Sequence, residues 1–258
     1  MHKLVLREDK NGAAILTLNR PEKLNALTKE LFEELEEHLD LIAREIRTVG
    51  LVILRGAGGN FSAGYDMAEI QAHVKARAKP HFHSDVIDKL SNLPQPVISA
   101  VQGHCSTGSL ELALAADLIV ASASARFSDV YARWGLTPIW GLSLRLPHRV
   151  GTAKAAEMMF TGRHYSGVEA QSIHLVNFCF EDDRFEAELE ALASDILANS
   201  WYANQVNKRA LMASDGLSLR EAHALELFKN EGLAPDAASR IAKFMAQHKA
   251  RKQPRGEA

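Results

Sequence analysis

Two glycine-bearing turns hold the residues best placed to do chemistry. The first is Phe61-Ser-Ala-Gly-Tyr-Asp66 and the second Gly103-His-Cys-Ser-Thr-Gly-Ser109. Each falls between an apolar run of strand character and a segment of helical character. A helix N-terminus offers backbone N–H groups without intrahelical partners and the positive end of the helix dipole. Two such ends aimed at one point make a site for an oxygen on which negative charge develops. Glycine permits the close backbone approach this requires. Read alone, each turn is first of all a tight packing turn.

Other reactive residues have plainer readings. Gly103-His-Cys-Ser-Thr107 is similar to the G-x-S-x-G nucleophile elbow, but its centre is cysteine and its fifth residue is Thr107, so Cys105 is expected to pack rather than react. His73, His81 and His83 are irregularly spaced in a polar stretch, which predicts a solvated loop and no metal site. Cys105 and Cys179 are the only two cysteines and form no CxxC or Cys/His pattern. Neither a disulfide framework nor a zinc site is indicated, and a reducing, cytoplasmic setting fits.

The elements that must position these turns follow from periodicity. Val5-Leu6 and Ala14 to Asn19 read as strands joined at Asn11-Gly12. Thr28 reads as an N-cap for an amphipathic helix through Leu31, Leu35, Leu39, Ile42 and Ile46. Leu51 to Leu54, Val97 to Val101 and Leu118 to Ser122 are short apolar runs of buried-strand type, with a short strand near Ala125 to Phe127 and a last one at Val176 to Phe180. A small-residue helix covers Leu110 to Ala116. Residues 67 to 92 read as helical at first, then polar and mobile around Pro80. Ala153 to Phe160 and Ser166 to Gln171 read as helical, and from Phe185 to Lys252 the chain is helix with short loops. Strands alternating with helices and ending in a helical tail predict an α/β fold.

The chain has 258 residues, 47% hydrophobic and 24% charged, with a formal net charge of −2. That suits one large domain, or one domain with an appendage. Near-neutrality gives no reason to expect nucleic acid or an anionic membrane as partner, and the basic tail Lys249, Arg251, Lys252 and Arg255 reads as a solvated terminus. The N-terminal MHKLVLREDK lacks an apolar signal core, and no run approaches a membrane span.

Three motifs in order, Asn19-Arg-Pro-Glu-Lys-Leu-Asn-Ala-Leu27, Asn60-Phe-Ser-Ala-Gly-Tyr-Asp66 and Pro96 through Asp117, resemble the crotonase, or enoyl-CoA hydratase/isomerase, superfamily. Gly135-Leu-Thr-Pro-Ile-Trp-Gly-Leu-Ser-Leu-Arg-Leu-Pro147 and Val150-Gly-Thr-Ala-Lys154 extend the resemblance over nearly the whole chain. It implies a spiral of strand–strand–helix turns over 1–195, a helical C-terminal oligomerisation region over 196–258, and a homotrimer or dimer of trimers. The substrate it implies is an acyl-CoA thioester, with coenzyme A entering as part of the substrate, no separate cofactor and no metal. By the same resemblance the backbone N–H groups of Tyr65 and Gly108 form an oxyanion hole, and Lys23, Leu24, Ala26, Ala63, Asp66 and Met67 border the coenzyme A. Phe244 and Lys249 are loose counterparts of residues that a neighbouring C-terminal helix adds to the adenine pocket. Trp134 and Trp140 line the acyl pocket or pack in the core.

Hydratases of this family set two glutamates around one water. Glu111 falls on the first of these positions, one helical turn after Gly108; its alternative is a surface charge. The second falls on Tyr131, which donates a hydrogen bond or a proton but is a poor base near neutral pH. Asp129 substitutes for it if the loop is shifted, or else caps the loop. Thr107 and Ser109 stand where the family often has glycine. The expected activity is therefore enolate stabilisation of hydratase or isomerase type. The alternatives are another reaction of the same fold (decarboxylation, thioester hydrolysis or carbon–carbon cleavage) and a non-catalytic acyl-CoA-binding protein.

Overall fold

The structure is a computed structural model that describes residues 3–76, 81–229 and 231–252. It divides into two compact units, residues 1–197 and 198–258.

Among the described residues nine strands lie in the first unit: β1 Val5–Lys10, β2 Ala13–Leu18, β3 Leu51–Gly56, β4 Val97–Val101, β5 His104–Ser106, β6 Leu118–Ser122, β7 Arg126–Ser128, β8 Tyr165–Ser166 and β9 Phe178–Phe180. They build a six-stranded sheet of order β1-β2-β3-β4-β6-β9 and a three-stranded sheet of order β5-β7-β8. Only β1 pairs antiparallel to its neighbour in the large sheet, and β5 and β7 pair parallel in the small one. The helices of this unit are α1 Lys29–Ile42, α2 Met67–Ala76, α3 His81–Ser91, α4 Gly108–Leu114, α5 Leu142–Val150, α6 Thr152–Thr161, α7 Gly167–Ser172 and α8 Phe185–Ala198, the last crossing into the second unit by one residue.

The spiral arises from short steps between the two sheets. After β4 the chain bends at Gly103, whose φ is +54°, and enters β5, then α4. After β6 it passes residues 123–125 into β7. Each pass lays one strand in each sheet and then a helix, which is the expected strand–strand–helix repeat. All five residues of β4 are buried, as a parallel strand covered on both faces requires. Their side chains alternate between two cores. Val52, Leu54, Val97 and Val101 pack with α1, while Leu51, Ile53, Ile98 and Ala100 pack with Phe185, Leu189 and Ala193 of α8.

Three helices differ from the sequence reading: α1, α3 and α5, the last of which was not read at all. Thr28 caps α1 as expected, its hydroxyl accepting from the Leu31 N–H at 3.2 Å, but the helix stops at Ile42 and Ile46 is 43% exposed. The Arg44 and Glu45 amides donate to Leu41 and Ile42, three residues back, so the last turn tightens and ends. The stretch read as polar and mobile instead carries α3. Its buried His83, Val86, Ile87 and Leu90 make an i, i+3, i+4, i+7 stripe masked by the intervening charges.

The second unit holds α9 Trp201–Ser214, α10 Leu219–Phe228 and α11 Ala237–Lys252. Ser200 caps α9 and also donates to Asp236, and Ser218 and Glu221 form a capping box on α10. Among the described residues no helix is long and apolar enough to cross a membrane.

Candidate active site

The two glycine turns run side by side. Ser62 and Cys105 form a parallel bridge, the Ser62 N–H donates to the His104 carbonyl at 2.8 Å, and the Ser109 hydroxyl donates to the Ser62 carbonyl at 2.7 Å. Gly64 sits so close to the second turn that a Cβ on it would lie 2.6 Å from Thr107 Oγ1 and 2.8 Å from the Ser106 carbonyl oxygen, and its φ is +107°. Ser109 thus ties the turns together.

The Asn19 to Leu27 motif closes on the first turn from the other side. Leu27 donates to the Gly64 carbonyl at 2.9 Å and accepts from the Asp66 N–H at 2.8 Å, and the Ala63 N–H donates to Leu24 at 2.9 Å. In this parallel bridge the amide of Tyr65 itself is turned away from Leu27. Arg20 donates to the Ala26 carbonyl at 2.6 Å and to Asp66 at 3.2 Å. Lys23, Leu24, Ala26, Ala63, Asp66 and Met67 therefore stand on two neighbouring turns, and Lys23, Leu24, Ala63 and Met67 are exposed. Asn25, with no exposure, braces them: it accepts from the Arg20 N–H and donates to the Ala57 and Asn60 carbonyls.

Gly108 is the first residue of α4, and among the described residues its N–H meets no acceptor. Thr107, just before it, holds φ +51°, a costly conformation for a β-branched side chain. One turn on, Glu111 is fully buried, so the surface-charge alternative is excluded. Its Oε1 accepts from the Trp140 N–H at 2.9 Å and the Leu142 N–H at 3.1 Å, and its Oε2 accepts from the Tyr131 hydroxyl at 2.6 Å. Burial outweighs these bonds and pushes the carboxyl up to about 6. Burial and the neighbouring Glu111 charge hold the Tyr131 phenol far above its ordinary range, so it is protonated and donates. Asp129 is 1% exposed and accepts from the Tyr131 N–H at 3.0 Å, the geometry of a loop cap.

The two tryptophans part company. Trp134 is 61% exposed, whereas Trp140 is 4% exposed and its ring meets Gly108. His83, expected in a solvated loop, is 2% exposed and stacks on Trp140 with ring centres 5.2 Å apart. His73 and His81 have side chains outside the described residues, and among those described no metal-holding group occurs. Cys105 is buried, and its thiol is pushed well above the usual range by desolvation, as a packing cysteine's would be. Phe244 is 65% exposed beside His248, and the Lys249 side chain lies outside the described residues.

Sequence reasoning did not find the backbone donors Trp140 and Leu142, nor the roles of Ser109 and Asn25. The glycine at 141, with φ +105°, was the available signal for the turn that aims both amides at Glu111.

The comparisons with known proteins agree in kind. The family model "Enoyl-CoA hydratase/isomerase" matches residues 8–248. "Probable enoyl-CoA hydratase 1, peroxisomal" of Arabidopsis thaliana is 32% identical over 230 residues, covering 89% of this chain and 85% of that protein. The crystal structure of an enoyl-CoA hydratase from Bacillus anthracis superposes with a TM-score of 0.90 at 28% identity, covering 95% of this chain and 96% of the other. A monofunctional enoyl-CoA isomerase from M. smegmatis gives 0.74 at 34% identity, covering 86% and 99%. The chain belongs to the enoyl-CoA hydratase/isomerase, or crotonase, family.

Proposed function

We propose that this chain shifts the double bond of an enoyl-CoA thioester, with Glu111 as its single acid/base. The observation that carries this reading is the 2.6 Å bond from Tyr131 to Glu111, which puts a hydrogen-bond donor where hydration needs a second carboxylate. The N–H groups of Tyr65 and Gly108 hold the thioester oxygen. Charge drawn onto that oxygen acidifies the α-carbon; Glu111 removes the proton there and returns it to the γ-carbon. A carboxyl near pH 6 suits both halves of the transfer. One oxyanion donor contributes about 3 to 4 kcal/mol to such a transition state. Lys23, Leu24, Ala26, Ala63, Asp66 and Met67 border the coenzyme A.

The test is turnover of matched 2-enoyl and 3-enoyl CoA thioesters by wild type and Glu111→Gln. Interconversion without release of a 3-hydroxyacyl product, lost in the variant, is expected. Equal rates in both proteins remove Glu111 from the mechanism. Rapid hydration by wild type overturns the single-base reading.

The same tyrosine favours a second reading, in which the enolate forms by decarboxylation, thioester hydrolysis or carbon–carbon cleavage. Inactivity on both enoyl series, with hydration gained in Tyr131→Glu, selects it. Coenzyme A binding without turnover of any thioester selects a binding protein. The exposed Leu219, Phe228 and Leu233 of the second unit support assembly into trimers, which light scattering checks.

A further inference from the structure

The space next to Gly108 is filled. A Cβ on this glycine would lie 2.4 Å from Trp140 Cζ3 and 3.1 Å from Cε3, so the benzo edge of the indole rests directly against the glycine backbone. The same ring meets Tyr65 edge-on with centres 5.1 Å apart, and the Trp140 backbone N–H is bound to Glu111. Trp140 therefore touches the residue of each presumed oxyanion amide and the presumed base. Behind it the core is closed by aromatic packing. His83 stacks on one face, and Phe32, fully buried, meets Trp140 edge-on at 5.4 Å and His83 at 4.6 Å. The indole Nε1 is buried without a hydrogen-bond partner. The ring is thus held by packing and not by a polar tether, and a smaller aromatic can hold the same place.

We infer that Trp140 is the specificity-determining residue of this site and limits it to short acyl groups of about the butyryl or crotonyl size. The inference rests on the proposed acyl-CoA reading. An acyl chain whose carbonyl is held by the amides of residues 65 and 108, and whose α-carbon faces Glu111, runs into the indole. Close-packed interiors do not yield to extra methylenes without displacing side chains. The three-ring wall of Trp140, His83 and Phe32 is supplied by the 135–141 loop, α3 and α1, so no single small movement opens it.

The test is binding, which does not depend on catalysis. Saturated butyryl-CoA, octanoyl-CoA and dodecanoyl-CoA are titrated calorimetrically into wild type, Trp140→Phe and Trp140→Ala, each checked for cooperative thermal unfolding. All three proteins keep the backbone N–H that binds Glu111. Wild type and Trp140→Phe are expected to bind butyryl-CoA at least tenfold more tightly than dodecanoyl-CoA, and Trp140→Ala to lose that preference by tenfold or more. Equal affinities in wild type, or an unchanged ratio in Trp140→Ala, overturn the inference. If Trp140→Ala does not fold, equal affinities for butyryl-CoA and dodecanoyl-CoA in wild type and Trp140→Phe still overturn the inference. The two failures separate cleanly. The expected ratios without turnover of any enoyl thioester sink the catalytic reading alone, and turnover with the wrong ratios sinks the length limit alone. Binding of no thioester sinks both.

Discussion

The Tyr131 hydroxyl donates to Glu111 Oε2 across 2.6 Å, and this bond opposes the rise that burial imposes on the carboxyl. It is the largest of the hydrogen-bond effects that lower the Glu111 pKa against burial. A base must be deprotonated to act, so wild-type kcat/KM on an enoyl thioester is expected to rise with pH through about 6. Tyr131→Phe removes the donor, so the midpoint of that limb moves to higher pH and kcat near pH 7 falls by about tenfold. A pH–rate profile of both proteins checks this. An unmoved midpoint would show that the bond plays no part in tuning Glu111.

Glu111 also carries a stability signature. Its folded pKa, about 6, lies above its ordinary 4.5, so the folded state holds a proton that the unfolded state has released between these values. The Glu111 contribution to stability is therefore greatest below 4.5 and is lost as pH rises through 6, by about 2 kcal/mol. Glu111→Gln has no such titration. The difference in unfolding free energy, wild type minus variant, is expected to fall by about 2 kcal/mol between pH 4.5 and pH 7 in urea titrations, while kcat of the variant falls by about 10² to 10⁴. A pH-independent difference would contradict the burial argument.

Much of this arrangement could be read before any coordinates. The buried run Val97 to Val101 and the Thr28 cap are local patterns, and each forms where its pattern predicts, whereas the stretch from Gly103 to Gly108, read as a turn, carries strand β5 at His104–Ser106 because that segment pairs with β7. The placement of Glu111 one turn after Gly108 is likewise helical arithmetic. What escaped depends on residues far apart in sequence. Trp140, in a loop, is buried because Phe32 of α1 and His83 of α3 pack against it. α3 was hidden because His83, Val86, Ile87 and Leu90 become an apolar stripe only once the core is there to receive them. The split between an exposed Trp134 and a buried Trp140 follows from that packing and not from their composition or spacing.

Gly64 presses the first turn closely against Ser106 and Thr107 of the second. Gly64→Ala imposes both a positive φ on alanine and overlap with the Ser106 carbonyl and Thr107 Oγ1. Gly59→Ala imposes a positive φ of +73° and nothing else within 4 Å. The Gly59 variant is expected to lose about 1 kcal/mol, and the Gly64 variant a further 1 to 3 kcal/mol with loss of turnover. Chemical denaturation of the pair measures it. Equal destabilisation would mean that the second turn gives way freely, and the closeness of the turns would then carry no constraint.

Asn25 offers a sharper test because the change is one of hydrogen-bonding chemistry at constant shape. Its Nδ2 donates to the Ala57 carbonyl at 2.8 Å and the Asn60 carbonyl at 2.7 Å, while Oδ1 accepts from the Arg20 N–H at 2.9 Å. In Asn25→Asp an oxygen replaces Nδ2 and faces two carbonyl oxygens in a position with no solvent exposure. Charging that carboxylate is unfavourable on both counts, so its folded pKa rises above the unfolded value of about 3.9. The variant is then most stable below that unfolded value, where a protonated carboxyl donates to one of the two carbonyls. It loses stability as pH rises through the raised folded pKa, by about 3 to 5 kcal/mol at neutral pH. Because the same side chain braces the turns proposed to border the coenzyme A, thioester affinity is expected to weaken with it. Thermal unfolding of wild type and Asn25→Asp at acidic and neutral pH reads the effect as the difference between the two proteins, and a deficit of the variant that shrinks toward neutrality would overturn the argument.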